Sequence, residues 1–342
     1  MTSAAGTDAD NDRRNVSDAV GVMVLGACAL WPLLSAAGRD GRPEGVLLAV
    51  LAVAAGYAAG RMAGSLWPVA APCVGALAGL ATAVAMPQAA TGSQFITPLG
   101  HAGAVAALLV LATGGVCCAA WATPVTALRF GLRALAAGIA VTGAAMGSAT
   151  GCAASAAVLL CSLAAGRLRH RGAAIAGLGS AAALVTGVVW AVAANVLPAG
   201  LTTALAGPLT ERRVQLWRDA LHLARRNSAL GVGPGRFGEL SGAASEALQP
   251  EGSPHSAPLQ QAAEQGLVGV LLLAAAFCWI LYALWRSARS TPVVLTAGAA
   301  LTALAMVSAV GNALSFTTVS AGAGLLAGLA TARPWVTGVP PS

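Results

Sequence analysis

The chain has 342 residues, of which 57% are hydrophobic and 9% charged, and its mean hydropathy is +0.76. A soluble domain of this size carries about 25% charged residues. The composition therefore excludes a soluble enzyme, a disordered protein and a nucleic-acid-binding protein. All 19 basic residues are arginines and the net charge is +7. What this charge means depends on where the arginines lie along the chain.

Ten apolar segments predict helices that cross a membrane. A spanning helix needs about 20 mostly apolar residues, because each residue rises 1.5 Å and the hydrocarbon layer is about 30 Å thick. The predicted spans are residues 20–37, 45–61, 64–86, 102–122, 126–147, 150–166, 172–197, 266–285, 292–311 and 313–332. We therefore expect an all-α fold: a polytopic integral membrane protein with about ten transmembrane helices in the lipid bilayer.

One long polar segment divides this chain. The predicted parts are a cytoplasmic tail (1–19), a membrane domain of about seven helices (20–197), an extracytoplasmic loop (198–265), three further membrane helices (266–332) and a second tail (333–342). The 33 uncharged residues from Ala134 to Gly166 are many for one span and few for two. Two spans require Arg129 and Arg133 in the first turns of the fifth helix, either as interfacial anchors or as functional intramembrane arginines.

The arginines indicate which side of the membrane each loop faces. With the N-terminus inside, eleven arginines fall at cytoplasmic positions, whereas only Arg39 and Arg42 fall in short outer loops. The eleven are Arg13, Arg14, Arg61, Arg129, Arg133, Arg167, Arg169, Arg171, Arg286, Arg289 and Arg333. This bias predicts a multi-pass protein of the bacterial plasma membrane, with a cytoplasmic N-terminus and an outward-facing long loop.

Two further patterns concern the spans themselves. Small residues recur four apart at positions 60 and 64, 75 and 79, 143 and 147, and 324 and 328, which predicts close packing of helix backbones. No acidic residue lies in the middle of a predicted span. This absence disfavours a proton- or cation-coupled transporter, which usually carries a carboxylate at mid-membrane depth.

The long loop begins with a predicted amphipathic helix, with Thr210 as its N-cap and residues 211–227 (ERRVQLWRDALHLARRN) in the helix. Its apolar residues fill one half of the helical wheel, which predicts a helix at the membrane surface. Arg213 points to the middle of this apolar half, four residues before Trp217. Either Arg213 meets an anionic partner there, or it bends out to solvent.

Two more segments of the loop carry candidate chemistry. Residues 231–238 (GVGPGRFG) predict a tight turn, which either simply follows a helix end or offers its amides as an anion-binding nest beside Arg236. His255 comes just before a predicted helix that has Pro258 in its first turn. The positive end of the helix dipole keeps such an imidazole neutral and able to accept a proton. A lone loop histidine without a function is the alternative.

In order, these segments read R-x-x-x-W, G-x-G-P-G-x-F, P-H-S and L-x-x-x-x-E-x-G-L-x-G over residues 213–269. This series resembles the carboxy-terminal signature of the O-antigen ligase and polymerase family. The resemblance implies a GT-C-like membrane glycosyltransferase of polysaccharide biosynthesis for the cell envelope. Its donor is a glycan linked to a polyprenyl diphosphate such as undecaprenyl diphosphate. The chain departs from the family at Ser256, where Asn is common, and in its ten spans, where ligases typically have about twelve.

The resemblance also implies roles for individual residues. Arg213, His255 and Glu264 take the places of the family's loop arginine, loop histidine and following glutamate. His255 is then the base that takes the proton of an acceptor hydroxyl, and Arg213 stabilises the diphosphate. Additional diphosphate-binding candidates are Arg218, Arg225, Arg236, Gly233 and Gly235. We expect no metal and no cofactor, because no carboxylate cluster is available.

Three hypotheses follow for the function. The first is an outer-face glycosyltransferase that acts as a ligase or a polymerase, with a glycan or another hydroxyl compound as acceptor. Direct attack inverts the anomeric carbon, whereas a covalent intermediate needs a carboxylate such as Glu264 or Glu239. The second hypothesis is a transporter or flippase for a lipid-linked or amphipathic substrate, in which the loop is a gate. The third is a non-catalytic membrane scaffold.

Overall fold

A computed structural model describes residues 4–89, 98–168, 170–197, 200, 210–242 and 253–333, without the side chains of 4–15, 87–89 and 98–101. Several predicted features lie outside this description. They are the topology arginines Arg13, Arg14 and Arg169, residues 334–342 of the second tail, and residues 198–199, 201–209 and 243–252 of the long loop.

The described residues form helices and no strand, as the composition predicts. The helices are α1 (Ala4–Ala37), α2 (Glu44–Leu66), α3 (Ala70–Ala89), α4 (Pro98–Ala122), α5 (Thr126–Ala145), α6 (Ala149–Ala165), α7 (Arg171–Ala193), α8 (Glu211–Arg226), α9 (Phe237–Leu240), α10 (Ala257–Arg286), α11 (Thr291–Val310), the 3-10 turn η1 (Ala313–Ser315) and α12 (Thr317–Thr331). Each of the ten predicted spans overlaps an apolar helix. Seven of these helices are long and apolar enough to cross a membrane, and α3, α6 and α12 are shorter apolar helices.

The stretch from Ala134 to Gly166 forms parts of two helices, as the prediction of two spans requires. The chain turns at Gly147, whose φ of +73° favours glycine, and the Ser148 hydroxyl caps α6 by accepting a hydrogen bond from the Gly151 amide. Arg129 and Arg133 lie in the first two turns of α5, as expected for two helices. Both guanidinium groups lie over the ring of Trp121, at 6.0 and 5.1 Å from its centroid.

Several helix ends differ from the bounds of the predicted spans. Helix α2 continues to Leu66, five residues beyond the predicted span, and Arg61 inside it forms an ion pair of 2.6 Å with Asp18. The eighth apolar helix begins at Ala257, which agrees with the prediction of Pro258 in its first turn, and residues 257–265 form a helical segment in front of the predicted span. The last predicted span is divided into η1 and α12.

Helices α4 and α11 form the centre of the bundle. Residues 104–120 of α4 and 293–302 of α11 are all buried. Both helices are apolar all round, which is typical of a helix enclosed by other helices. Helices α3, α5 and α6 pack against α4, and α6 and α7 pack against α11.

Helices α2 and α12 pack with their backbones in direct contact. A Cβ atom on Gly56 or Gly60 would overlap a backbone carbonyl of α12, and one on Gly324 or Gly328 would overlap a carbonyl of α2. We call these four residues the helix-pair glycines. Two of the predicted small-residue pairs therefore serve packing within one chain, as expected.

The path of the chain defines two ends of the bundle. At one end α1 and α7 finish and α2 and α10 begin, and α8 and α9 lie there; we call it the loop end. At the opposite end α2, α10 and α12 finish. The predicted topology puts the loop end outside the cell and the opposite end in the cytoplasm.

Candidate active site in the long loop

Helix α8 packs its apolar face on other helices of the protein. Leu216, Trp217, Ala220 and Leu221 are buried, in one cluster with Val189 and Ala193 of α7, Phe237 of α9, and Leu259 and Ala263 of α10. The predicted amphipathic helix is therefore present, but its apolar face is buried against protein, and its place at the membrane surface stays a prediction. The ends of α7 and α10 cover this face, and residues 210–242 and 253–266 form one packed unit, here called the loop unit.

A break in α10 supplies the backbone groups that hold this unit together. Gly266 has φ 69° and ψ −162°, a conformation that is essentially confined to glycine. The break removes the helical donors of three carbonyl groups, which must find other partners. The carbonyls of Ala263, Glu264 and Gln265 accept hydrogen bonds from Val232 N (2.9 Å), Gly233 N (2.9 Å) and Trp31 Nε1 (3.1 Å), and Leu267 N donates to Ser228 O (2.8 Å).

The backbone of residues 228–237 lies so close to the backbone around the break in α10 that glycines are required on both sides. A Cβ atom on Gly231 would overlap the backbone of Glu264, and one on Gly266 would overlap the carbonyl of Ala229. Gly231, Gly233, Gly235 and Gly266 all have positive φ, between 67° and 103°. We call these four the loop glycines. They let residues 228–237 lie directly against the break in α10.

The glycine-rich turn binds the carboxyl group of Glu264, and burial raises the pKa of this group to about 7. Glu264 is 2% exposed, and its carboxylate accepts backbone hydrogen bonds from Gly235 and Phe237 and one from Gln260 Nε2 at 3.3 Å. The predicted anion-binding turn therefore exists, with a partner inside the protein. The prediction that Gly233 and Gly235 bind a diphosphate does not fit this arrangement, because the Gly233 amide pairs with the Glu264 carbonyl and the Gly235 amide with its carboxylate.

His255 lies immediately before the N-cap of α10, as the sequence predicts, and Pro258 is in the first turn. The side chain is buried, with 6% exposed, and the backbone has φ 50°. A left-handed backbone is unusual for a residue other than glycine and costs of order 1–3 kcal/mol, so the surroundings must hold it there. Strained residues of this kind cluster at active sites.

The four candidate arginines of the loop have different environments. Arg213 is half-buried in the first turn of α8, on the side of the helix that carries Trp217. Arg218 and Arg225 are exposed, and Arg218 donates a hydrogen bond to Asn195 Oδ1 at 3.2 Å. Arg236 donates to the Arg39 carbonyl at 2.8 Å and lies 3.5 Å from Glu239. Of these four arginines, only Arg213 lies on the buried side of α8, where its guanidinium can meet a ligand held by the loop unit.

The sequence did not indicate that the first outer loop, residues 38–43, belongs to this site. Arg39 Nη1 donates to Asn227 Oδ1 at 3.1 Å, and the Arg42 amide donates to the Pro234 carbonyl at 2.7 Å. Arg42 is also 3.9 Å from Glu239. The one available signal was that Arg39 and Arg42 are the exceptions to the positive-inside pattern.

Several buried polar atoms of the loop unit point to a polar ligand. Trp217 Nε1, Ser256 Oγ and Gln265 Nε2 are buried and have no hydrogen-bond partner among the residues that the structure describes. Buried polar groups nearly always have partners in native proteins. A bound hydroxyl compound or phosphate would supply such partners.

Potential metal ligands lie apart from one another in the part of the chain that the structure describes. In these ranges no group of three or more histidine, cysteine, aspartate and glutamate side chains is arranged to hold a metal ion.

One comparison with known proteins covers the segment that contains this candidate site. Residues 134–274 match the family model described as O-antigen ligase. The matched segment contains α6 to α9, the loop unit and the break in α10. No curated protein and no solved structure matches the chain.

Proposed function

We propose that this chain, which its residues 134–274 assign to the O-antigen ligase and polymerase family, transfers a glycan from a polyprenyl-diphosphate-linked donor to a hydroxyl acceptor. The family assignment supports membrane-embedded glycosyl transfer of the ligase or polymerase type in general. The donor, the outer face of the bacterial plasma membrane as the place of reaction, and the residues named below belong to the proposal.

One observation carries the proposal: the segment that matches the family folds into a polar unit that buries a strained histidine beside a helix N-terminus. Loops on a rigid scaffold are where catalytic groups usually lie. Here the scaffold is the bundle end formed by α1, α2, α7 and α10. The buried polar atoms of Trp217, Ser256 and Gln265 support a polar substrate in the same unit.

The proposed reaction needs one base and one group of cations. The acceptor oxygen attacks the anomeric carbon, and the bond from that carbon to the diphosphate oxygen breaks. His255 takes the proton of the acceptor hydroxyl, and the electron pair leaves with the polyprenyl diphosphate. Arg213 stabilises the charge that grows on the diphosphate, because a guanidinium stays charged and matches two phosphate oxygens. A single displacement of this kind inverts the anomeric configuration.

Glu264 takes a positioning role in this proposal. Its carboxyl oxygens already accept backbone hydrogen bonds from Gly235 and Phe237 and one from Gln260 Nε2, so this group is bound inside the protein. It thereby fixes α10 and the glycine-rich turn relative to each other, nine residues after His255. A covalent intermediate on Glu264 is not part of the proposal.

A reconstituted assay with lipid-linked glycan tests the role of His255. We expect His255→Ala to slow the release of polyprenyl diphosphate by about 10²–10⁴-fold, because a general base contributes that much. His222→Ala is the matched control, since His222 is an exposed histidine on α8. Both variants should elute as folded protein in size-exclusion chromatography. Release at the wild-type rate by folded His255→Ala protein would exclude this histidine as the base.

The same assay tests the metal and the arginine. Activity should persist in excess EDTA, because the proposed steps use only side chains and substrate. Loss of activity in EDTA that Mg²⁺ or Mn²⁺ restores would contradict the metal-independent reaction.

Arg213→Gln should lower the rate by at least about tenfold. Arg213→Lys should retain part of the rate, since lysine keeps the charge but loses the forked geometry of the guanidinium group.

The transporter hypothesis predicts a broken helix at mid-membrane depth. The break in α10 lies elsewhere, because residues 267–286 follow it, and these 20 residues span about 30 Å on their own. The break therefore coincides with the loop end of the bundle, where it serves the loop unit.

A further inference from the structure

Two arginines converge on one tryptophan at the opposite end of the bundle, where α4 finishes and α5 begins. Arg129 and Arg133 lie one turn apart on α5, and their guanidinium carbons are 6.0 and 5.1 Å from the centroid of the Trp121 ring. All three residues are half-buried. We call them the arginine platform. The proposed glycosyl transfer at the loop end does not use this platform, so a ligand bound there is independent of that reaction.

Hydrogen bonds from α6, α11 and the turn between α4 and α5 hold the platform in place. Trp121 Nε1 donates to Ser162 Oγ at 3.1 Å, and Thr296 Oγ1 donates to the same oxygen at 3.0 Å. Arg129 Nη2 donates to the carbonyl of Thr123 at 3.0 Å. The ring and the first guanidinium are therefore positioned by the protein itself, without any ligand.

The two positive charges of the platform meet no carboxylate among the side chains that the structure describes. Of these carboxylates, only that of Asp18 lies at this end of the bundle, and it is paired with Arg61 at 2.6 Å. The others lie at the loop end and belong to Asp40, Glu44, Glu211, Asp219, Glu239 and Glu264. Arg129 Nε is buried and has no hydrogen-bond partner within the described ranges. A charge that is partly buried without an anion is costly, so the platform calls for an anionic ligand.

The ends of the helices do not explain these arginines. The beginning of a helix carries a partial positive charge, so a cation such as Arg129 near the start of α5 is unfavourable there. An arginine at this end can instead bind the carbonyls of helix ends, as Arg289 does by donating to Ala332 and Gly64, each at 2.7 Å. Arg133 contacts the tryptophan ring and has no such carbonyl partner in the part of the chain that the structure describes.

The position of the platform indicates what kind of anion reaches it. Both arginines lie in the first two turns of α5, which is long and apolar enough to cross a membrane, and an indole ring is typical of the level of lipid headgroups. Basic pockets between transmembrane helices bind phosphate headgroups at this depth. A guanidinium fork fits two oxygens of a phosphate, and two forks that are one turn apart can share one phosphate group.

We propose that the arginine platform binds one phosphate group, with Arg129 and Arg133 as its ligands and Trp121 as the ring that orients both. The phosphate belongs either to an anionic phospholipid of the adjacent leaflet or to a soluble phosphate compound. Both sources present the same oxygens, and the experiment separates them.

The test is binding of phosphatidylglycerol to the purified full chain, measured by native mass spectrometry, with phosphatidylcholine of the same acyl chains for comparison and inorganic phosphate as the soluble probe. The double variant Arg129→Gln/Arg133→Gln removes both proposed ligands. Val125 is 55% exposed and lies four residues before Arg129, so Val125→Glu adds a carboxylate beside the platform without removing an arginine. Val125→Gln is its uncharged counterpart. Arg286→Gln is the matched control, because Arg286 also lies over a tryptophan at this end, 5.7 Å from the ring of Trp285, but is exposed and alone.

We expect the double variant and Val125→Glu to bind phosphatidylglycerol at least about tenfold more weakly than wild type, and Val125→Gln and Arg286→Gln to bind like wild type. A preference of the wild type for phosphatidylglycerol over phosphatidylcholine identifies the lipid as the source. Binding of inorganic phosphate that the double variant loses, without any lipid preference, identifies a soluble phosphate.

The proposal is wrong if the wild type binds neither probe, or if the folded double variant binds both as tightly as the wild type. Equal weakening by Arg286→Gln would overturn it as well, because the effect would then follow from general surface charge. If the double variant does not fold, Val125→Glu decides the matter, since it keeps both arginines, and unchanged binding by Val125→Glu then overturns the proposal.

Discussion

The helix-pair glycines and the loop glycines are required for different physical reasons. The helix-pair glycines have helical backbones, and the absent Cβ lets the backbones of α2 and α12 touch. The loop glycines have positive φ, so they provide a backbone direction that other residues rarely adopt. At Gly231 and Gly266 the close approach of another backbone adds a second requirement.

This difference separates what holds the bundle from what holds the loop unit. In lipid, helices associate through close van der Waals packing, so the bundle depends on volume. The loop unit depends on hydrogen bonds whose geometry follows from the break at Gly266, and on one buried carboxylate, Glu264. Substitutions that change volume should therefore affect the bundle, and substitutions that change backbone direction or charge should affect activity first.

The largest effect should come from filling the contact between α2 and α12. A leucine at Gly328 must displace the carbonyl of Tyr57, so we expect Gly328→Leu to lower the midpoint of thermal unfolding by about 10 °C or more, or to prevent isolation of monodisperse protein. Gly187→Leu on α7 is the control, because a Cβ there meets open space. Equal thermal midpoints for the two variants would show that the α2–α12 contact does not stabilise the bundle.

Changing the backbone at the break in α10 should inactivate the protein with less harm to the bundle. Gly266→Ala forces a side chain into a conformation that is essentially confined to glycine and against the carbonyl of Ala229. We expect glycosyl transfer at least about tenfold slower and faster proteolysis within the loop, with a thermal midpoint close to wild type. Gly242→Ala is the control, since nothing lies near its Cβ position. A Gly266→Ala protein with full activity would contradict the role of the break.

Changing only the charge at Glu264 should have a smaller effect. Glu264→Gln keeps an oxygen for the amides of Gly235 and Phe237 but loses the charge, and we expect a rate about tenfold lower. Glu264→Ala leaves those amides without this acceptor and should lower the rate by about a hundredfold. Rates of product formation measure both. If the two variants are equally inactive while folded, Glu264 acts in the bond-making step.

The smallest effects should come from the outer arginines that join the loop unit. Arg42 is 77% exposed at its side chain and 3.9 Å from Glu239, so Arg42→Gln should change the rate by less than about twofold. Arg39→Gln removes a partly buried hydrogen bond to Asn227 and should lower the rate a few-fold. Initial rates of product formation give the comparison. A larger loss in Arg42→Gln would indicate that this arginine contacts the substrate directly.

Much of the fold could be predicted because the membrane sets the length and polarity of each helix. The ten apolar segments and the turn near Gly147 followed from hydropathy and residue count. The sequence could not tell which helices meet. Gly60 and Gly328 indicated close packing, but many partners were compatible with that pattern, and α2 contacts a helix more than 250 residues later along the chain.

The site was predictable where it depends on local order along the chain. His255 before a helix N-terminus and Arg213 on the apolar side of α8 are local features. The contact between Glu264 and the glycine-rich turn was not predictable. An anion-binding turn looks the same in sequence whether it binds a substrate or a side chain of the same protein. Arg39 was missed because its contact with Asn227 joins residues 188 positions apart.

The pairing of α2 with α12 has a consequence for biosynthesis. Tyr57 and Thr331, which share a hydrogen bond across this pair, are separated by 274 positions in the chain. During synthesis α2 therefore enters the bilayer long before α12 exists. Until then Gly56 and Gly60 of α2 contact lipid or a chaperone. The α1–α2 loop, which carries Arg39, is held by Asn227 and Pro234, which are also made long after α2. The packing of α2 against α12 should thus be a late step in the assembly of the bundle.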